Sequence, residues 1–181
     1  ADGTARGEGR VLAVTVFHTA ILYNGLARYE EAFAAAHQAA AYEDLSIGTW
    51  FLPELIEAAV RTGRQEAAVL ALRRLEAHAG ASGTNFGLGE LASARALLAD
   101  DEFADGLYIE AIEHLGRTRL IVNLARAHLR YGDQRASQRF EGGPRLAACP
   151  RQRRDHRAVI LARQIERNPA IGGFKQAAMT V

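Results

Sequence analysis

Ala27-Arg28-Tyr29-Glu30-Glu31-Ala32, Gly63-Arg64-Gln65-Glu66-Ala67-Ala68 and Ala99-Asp100-Asp101-Glu102-Phe103-Ala104 are three short polar turns, each closed by an alanine. The closing alanines stand 36 residues apart. Seven residues after each comes another small or apolar residue: Ala39, Leu75 and Ala111. The same step runs upstream of the turns, through Val16, Leu52, Leu88 and Leu124, and through Ala20, Ile56, Ala92 and His128. A further column holds Tyr23, Ala59, Arg95 and Tyr131. A fixed period between 20 and 50 residues is the mark of a stacked-repeat architecture.

Each period reads as a helix, a turn and a second helix. The first helix carries apolar residues at i, i+4 and i+7, which is one helical face. The second starts at the polar turn and carries small residues on its inner face, where they let two antiparallel helices approach closely. One such hairpin cannot bury its own apolar face, but stacked neighbours can. The expected helices are 8–25, 28–42, 50–62, 64–80, 86–98, 101–115 and 118–131. Pro53 is tolerated if its helix begins near Leu52, because the first turn needs no backbone donor there. Gly80-Ala81-Ser82-Gly83-Thr84 reads as a breaker between units. The fold class is therefore all-α, a helical-hairpin solenoid of about seven helices.

Composition agrees. At 181 residues with 49% hydrophobic and 24% charged, the chain falls in the ordinary globular range and is long enough for a sizeable core. Alanine, the best helix former, is abundant, and only four residues are proline. Cys149 is the single cysteine, so neither an internal disulfide nor a cysteine-based zinc site can form, and a reducing, cytoplasmic setting is expected. No run of 18 apolar residues exists, so no membrane span is expected. Val11–Phe17 has the apolar character of a signal sequence, but His18 and Thr19 interrupt it, and it reads better as a buried helix.

The net charge of +1 conceals a division. Residues 1–133 carry 12 arginines against 18 acids, a balance of −6. Residues 134–181 carry nine arginines and one lysine against three acids, a balance of +7. Two regions follow: repeats over 1–133, and an Arg-rich tail over 134–181 read as loop or disorder. Gly142-Gly143-Pro144 breaks any helix there, and Ala158–Arg167 has the apolar pattern of one short helix (158–167). The tail arginines placed to touch phosphate are Arg151, Arg153, Arg154 and Arg157. Such contact would be salt-dependent and blind to sequence. Phe140 is the only aromatic residue nearby, so a base-stacking platform is not evident.

Arg28-Tyr29-Glu30-Glu31-Ala32 with Ala39, preceded by Ala20 and Tyr23, resembles the tetratricopeptide signature. A longer ordered set is more specific. It runs from Tyr23 through Ala32, then Thr49-Trp50-Phe51-Leu52-Pro53-Glu54-Leu55-Ile56-Glu57-Ala58-Ala59-Val60-Arg61-Thr62-Gly63. It continues with Ala94-Arg95-Ala96-Leu97-Leu98, with Tyr108 through Arg119, and with Leu124-Ala125-Arg126-Ala127-His128-Leu129-Arg130-Tyr131-Gly132. This set, over about residues 7–132, resembles the tetratricopeptide-like region of large ATP-binding LuxR-type (MalT-like) transcriptional regulators. The resemblance implies a non-catalytic region that senses a signal, binds a protein partner or self-associates. In that family the repeats lie between a nucleotide-binding module and a helix-turn-helix domain. Neither signature occurs here: there is no G-x-x-x-x-G-K-[ST] loop, and no helix pair near the end resembles the DNA-binding unit. After Tyr131-Gly132 the sequence departs from the family pattern. Its Arg-, Gly- and Pro-rich tail has the character of GC-rich DNA read out of frame, so a truncated or frameshifted remnant is expected.

Chemistry-bearing residues form no catalytic constellation. The six histidines have no i, i+4 pair and no H-E-x-x-H, so no metal site is expected. Ser46, Ser82, Ser93 and Ser137 lack a nucleophile context. Asp100-Asp101-Glu102 with Asp105 is read as a helix start, where carboxylates meet free N–H groups and the positive end of the dipole. Glu30-Glu31, Glu110 and Glu113 read as helix starts or solvated faces. No catalytic, cofactor-binding or metal residue is assigned, and the chain is read as a non-enzyme. The alternative function is nucleic-acid binding through the basic tail.

Overall fold

The structure, a computed structural model, describes residues 9–40 and 50–141. Among them are seven helices and no strand: α1 (Gly9–Gly25), α2 (Tyr29–Ala40), α3 (Leu52–Arg61), α4 (Gln65–Ser82), α5 (Asn85–Leu98), α6 (Asp101–Gly116) and α7 (Ile121–Glu141). Helices α1 and α2, α3 and α4, and α5 and α6 pair as hairpins. Successive hairpins meet through α2–α3, α4–α5 and α6–α7, and α3 also touches α1 and α5. This is the expected tetratricopeptide-like stack.

The alanine columns explain the packing. Ala32, Ala68 and Ala104 are fully buried, as are Ala20 and Ile56. A methyl group at each crossing lets the helix axes close, and Leu52, Leu55, Leu75 and Leu91 fill the next layer. At Gly89 even a methyl would not fit: a Cβ there would lie 2.7 Å from Leu115 Cγ. The main core draws on α1 to α5. A second, smaller core gathers Ala96, Ala104 and Tyr108 with Leu107 and Tyr131.

The first two turns share one mechanism. Arg28 N–H donates to Tyr23 O at 2.9 Å, and Arg64 N–H donates to Ala59 O at 2.8 Å. These are the six-to-one bonds of a Schellman ending, which places the intervening residue in the left-handed region. Gly63 takes that conformation at φ 74° without a side chain to clash, whereas Ala27 takes it at φ 56°. Pro53 sits in the first turn of α3, where it costs no hydrogen bond.

Several boundaries shift by two or three residues, among them the start of α7 at Ile121 rather than 118, and two of the differences have a physical reason. Gly80, Ala81 and Ser82 belong to α4, and the break falls at Gly83 and Thr84. Gly83 is left-handed at φ 56°, and Thr84 caps α5 by accepting from Gly87 N–H at 3.1 Å. A glycine near a helix end costs about 1 kcal/mol against alanine, which is too little to stop α4 alone. The second difference is larger. Helix α7 continues through the expected 133/134 boundary to Glu141, so the reading of 134–141 as loop is corrected. Cross-helix contacts account for it. Gln134 donates to Asp101, Arg135 pairs with Asp105 at 2.7 Å, and the Arg135 guanidinium lies 5.7 Å from the Tyr131 ring. The expected helix 158–167, Cys149, and Arg151, Arg153, Arg154 and Arg157 lie outside the described residues.

Candidate functional site

The polar chemistry of the described chain concentrates where α1, α3, α5 and α7 face one another. Helix α3 contributes Glu54 and Glu57, which are 3% and 2% exposed. They lie three residues apart, hence on one face. From α7, Arg126 and Arg130 project at i and i+4 toward the same place. Arg126 makes a two-pronged contact with Glu54 and donates to Glu57 Oε2 at 2.9 Å. Arg130 donates to Glu57 Oε2 from Nε at 3.0 Å and from Nη2 at 2.9 Å. Its third donor, Nη1, reaches Ser93 Oγ on α5 at 3.1 Å and lies 3.7 Å from Glu90 Oε2.

Amide side chains extend the network at both ends. Asn24 on α1 donates to Glu54 Oε2 at 2.9 Å and to the Glu54 carbonyl at 3.1 Å. Asn123 on α7 donates to Glu90 Oε1 at 2.8 Å. Farther along, Arg61 on α3 meets Asp133 on α7 at 3.5 Å. The arginines of α7 thus reach past α5 to α3. On the way Arg130 touches the buried Ser93 of α5.

The electrostatics follow from burial. Burial works against the charge on Arg126, but the nearby Glu54 and Glu57 carboxylates and the Glu54 hydrogen bond outweigh it, holding the guanidinium above its ordinary range. Arg130 is raised too: burial and Arg126 oppose its charge, and Glu57, Glu90 and Glu54 together prevail. Three carboxylates face two guanidiniums, so the cluster carries a formal charge of −1. Beside it, burial pushes the Tyr108 hydroxyl up to about 12. Its ring stacks on Tyr131 with centroids 5.4 Å apart.

The groups read as helix starts behave in part as expected. Asp100 occupies the N-cap of α6 but makes no side-chain cap bond, while Asp101 and Glu102 sit in the first turn. Asp101 and Asp105 turn instead to α7. Glu30 pairs with Arg64 at 2.8 Å, Glu31 pairs with Arg28, and Glu110 and Glu113 are exposed. Among the described residues no group of three histidine, cysteine or acidic side chains is placed to hold a metal ion. Nor is any helix among them long and apolar enough to cross a membrane.

The network was not anticipated from the sequence, although a signal is there. Glu54, Glu90 and Arg126 are spaced by the same 36 residues as the alanine columns. A repeat column holding two acids and then a base is a cross-repeat pair waiting to close. Comparison with protein-family models, with curated proteins and with solved structures finds no match.

Proposed function

We propose that this chain is a non-catalytic, protein-interacting repeat region of a LuxR-type transcriptional regulator, working in the cytoplasm through its helical hairpins. The observation that carries the reading is the stack itself: 36-residue hairpins in the order of the quoted motifs, with α7 ending the described series and offering its outer side. Along α7 Leu124, Ala125 and Leu129 are half-buried and Val122 is 68% exposed, and Leu120 just before the helix is 44% exposed. A repeat stack needs a polar cap or a further helix at its end. A second copy or a partner helix covering this side supplies one.

Sedimentation velocity on the full chain tests the interaction reading. Self-association at tens of micromolar is expected, with Val122→Glu shifting the population to monomer. A strict monomer at the highest soluble concentration, unchanged by the substitution, overturns self-association. The regulator assignment has its own test in the coding DNA: neighbouring sequence that encodes the family's nucleotide-binding and helix-turn-helix parts supports it, and absence of both in every frame sinks it. The +7 balance of residues 134–181 favours a second reading, weak nucleic-acid contact through that segment. Equal DNA affinity with and without those residues dismisses it.

A further inference from the structure

The main core draws its buried residues from α1 to α5 and none from α7. Helix α7 joins the body through the small Tyr108–Tyr131 cluster, the one fully buried alanine Ala127, and the charged contacts to α3, α5 and α6. Opening an apolar seam costs free energy, because water meets bare hydrocarbon. A buried ion-pair network differs: the desolvation it suffered is recovered when the charges rehydrate, so its net contribution is small for the number of contacts it makes. Elements held this way are the ones that open below the global unfolding free energy.

We propose that α7 is a displaceable latch, and that the face it covers is a receptor for a partner's helix bearing arginines four residues apart. The inference rests on the protein-interaction reading above and names the partner chemistry. Helix α7 displays the fit. Its two guanidiniums each meet Glu57, with Glu54, Glu90 and Ser93 as further acceptors. The three carboxylates exceed the two guanidiniums by one charge, so a cationic helix matches the vacated face and an acidic one is repelled. Residues 117–120, which join α6 to α7, form the short connection about which the latch turns.

Hydrogen exchange on the unmodified full chain tests this. Amides of α7 exchange at least tenfold faster than the slowest amides of α3 and α5. A millimolar excess of isotope-labelled peptide spanning residues 121–141 accelerates exchange of the chain's own α7 at least threefold, by capturing the open form. The same peptide with glutamine at 126 and 130 leaves it unchanged. Equal protection of α7 and α3 overturns the latch. Equal effects of the two peptides overturn guanidinium recognition. Acceleration by raising the chain's own concentration, without peptide, overturns the foreign partner in favour of α7 exchange between copies. A chain that proves monomeric by sedimentation yet captures the arginine peptide keeps this inference and removes only self-association.

Discussion

Replacing Arg130 with methionine removes one side of a pair whose partner stays buried. The Arg130 side chain is 4% exposed and makes three hydrogen bonds, two to Glu57 Oε2 at 3.0 and 2.9 Å and one to Ser93 Oγ at 3.1 Å. In the variant Glu57 keeps only Arg126, at 2.9 Å, among these guanidiniums, and Ser93 loses this donor. Fully stranding one partner of a buried pair costs about 3–5 kcal/mol; with Arg126 still on Glu57 the lower end, about 3 kcal/mol, is expected. That is a large share of the 5–15 kcal/mol that holds a typical domain. At about 3 °C per kcal/mol for a chain of this size, the melting midpoint falls by roughly 10 °C. Urea unfolding followed by far-ultraviolet circular dichroism reads the free energy, provided the slope stays constant. The double variant Glu57→Gln with Arg130→Met strands less charge, so it loses about 1–3 kcal/mol less than the sum of the singles. A single-variant cost under about 1 kcal/mol, with coupling within about 0.5 kcal/mol of zero, refutes the buried pairing.

Other outcomes follow from single positions. Ala27→Gly stabilises by up to about 1 kcal/mol by relieving left-handed strain, and Gly63→Ala destabilises by a similar amount; thermal melts of the two should move in opposite directions. Thr84→Ala removes the cap of α5 and costs about 1 kcal/mol, with glycine at the same site costing only a few tenths. Tyr108 ionises near 12 in the folded chain against 10 in the unfolded one. The unfolded state therefore releases its proton first, and stability falls by about 1.4 kcal/mol per unit between those pH values. Urea midpoints at alkaline pH show this slope, and Tyr108→Phe flattens it. Burial lowers the His128 pKa below its ordinary value of 6.5. Its contribution is present above that value and is lost as pH falls through the folded pKa, a trend that His128→Gln abolishes in melts from pH 7 to 5.

The fold was legible because a repeat is written redundantly. Ala32, Ala68 and Ala104 mark the same crossing three times, and an error at one is corrected by the others. The helix starts at Gln65, Asn85 and Asp101 lie within a residue of where the turns place them. Local signals failed where long-range contacts decide. Gly80 reads as a breaker, but the left-handed residue that ends α4 is Gly83. Gln134 and Arg135 read as the start of a tail, because their partners Asp101 and Asp105 lie about thirty positions earlier. The ion-pair network was hidden for a like reason. Arg126 reaches Glu54 across 72 positions, skipping the neighbouring repeat altogether. Apolar patterning says which face turns inward, and it expects charges to point outward. Glu54 and Glu57 break that rule, and the arginines of a helix two hairpins away help make their burial tolerable.

Arg130 is seated among buried carboxylates, and the arginine side-chain region of a proton–nitrogen correlation spectrum reads that seating. Nε–H groups in water exchange quickly at pH 8 and lose their signals. The Arg130 Nε–H, identified by its loss in Arg130→Met, is expected to persist at pH 8 and to weaken in Glu57→Gln. A spectrum in which no Nε–H signal outlives those of exposed arginines, or in which Glu57→Gln changes nothing, contradicts it.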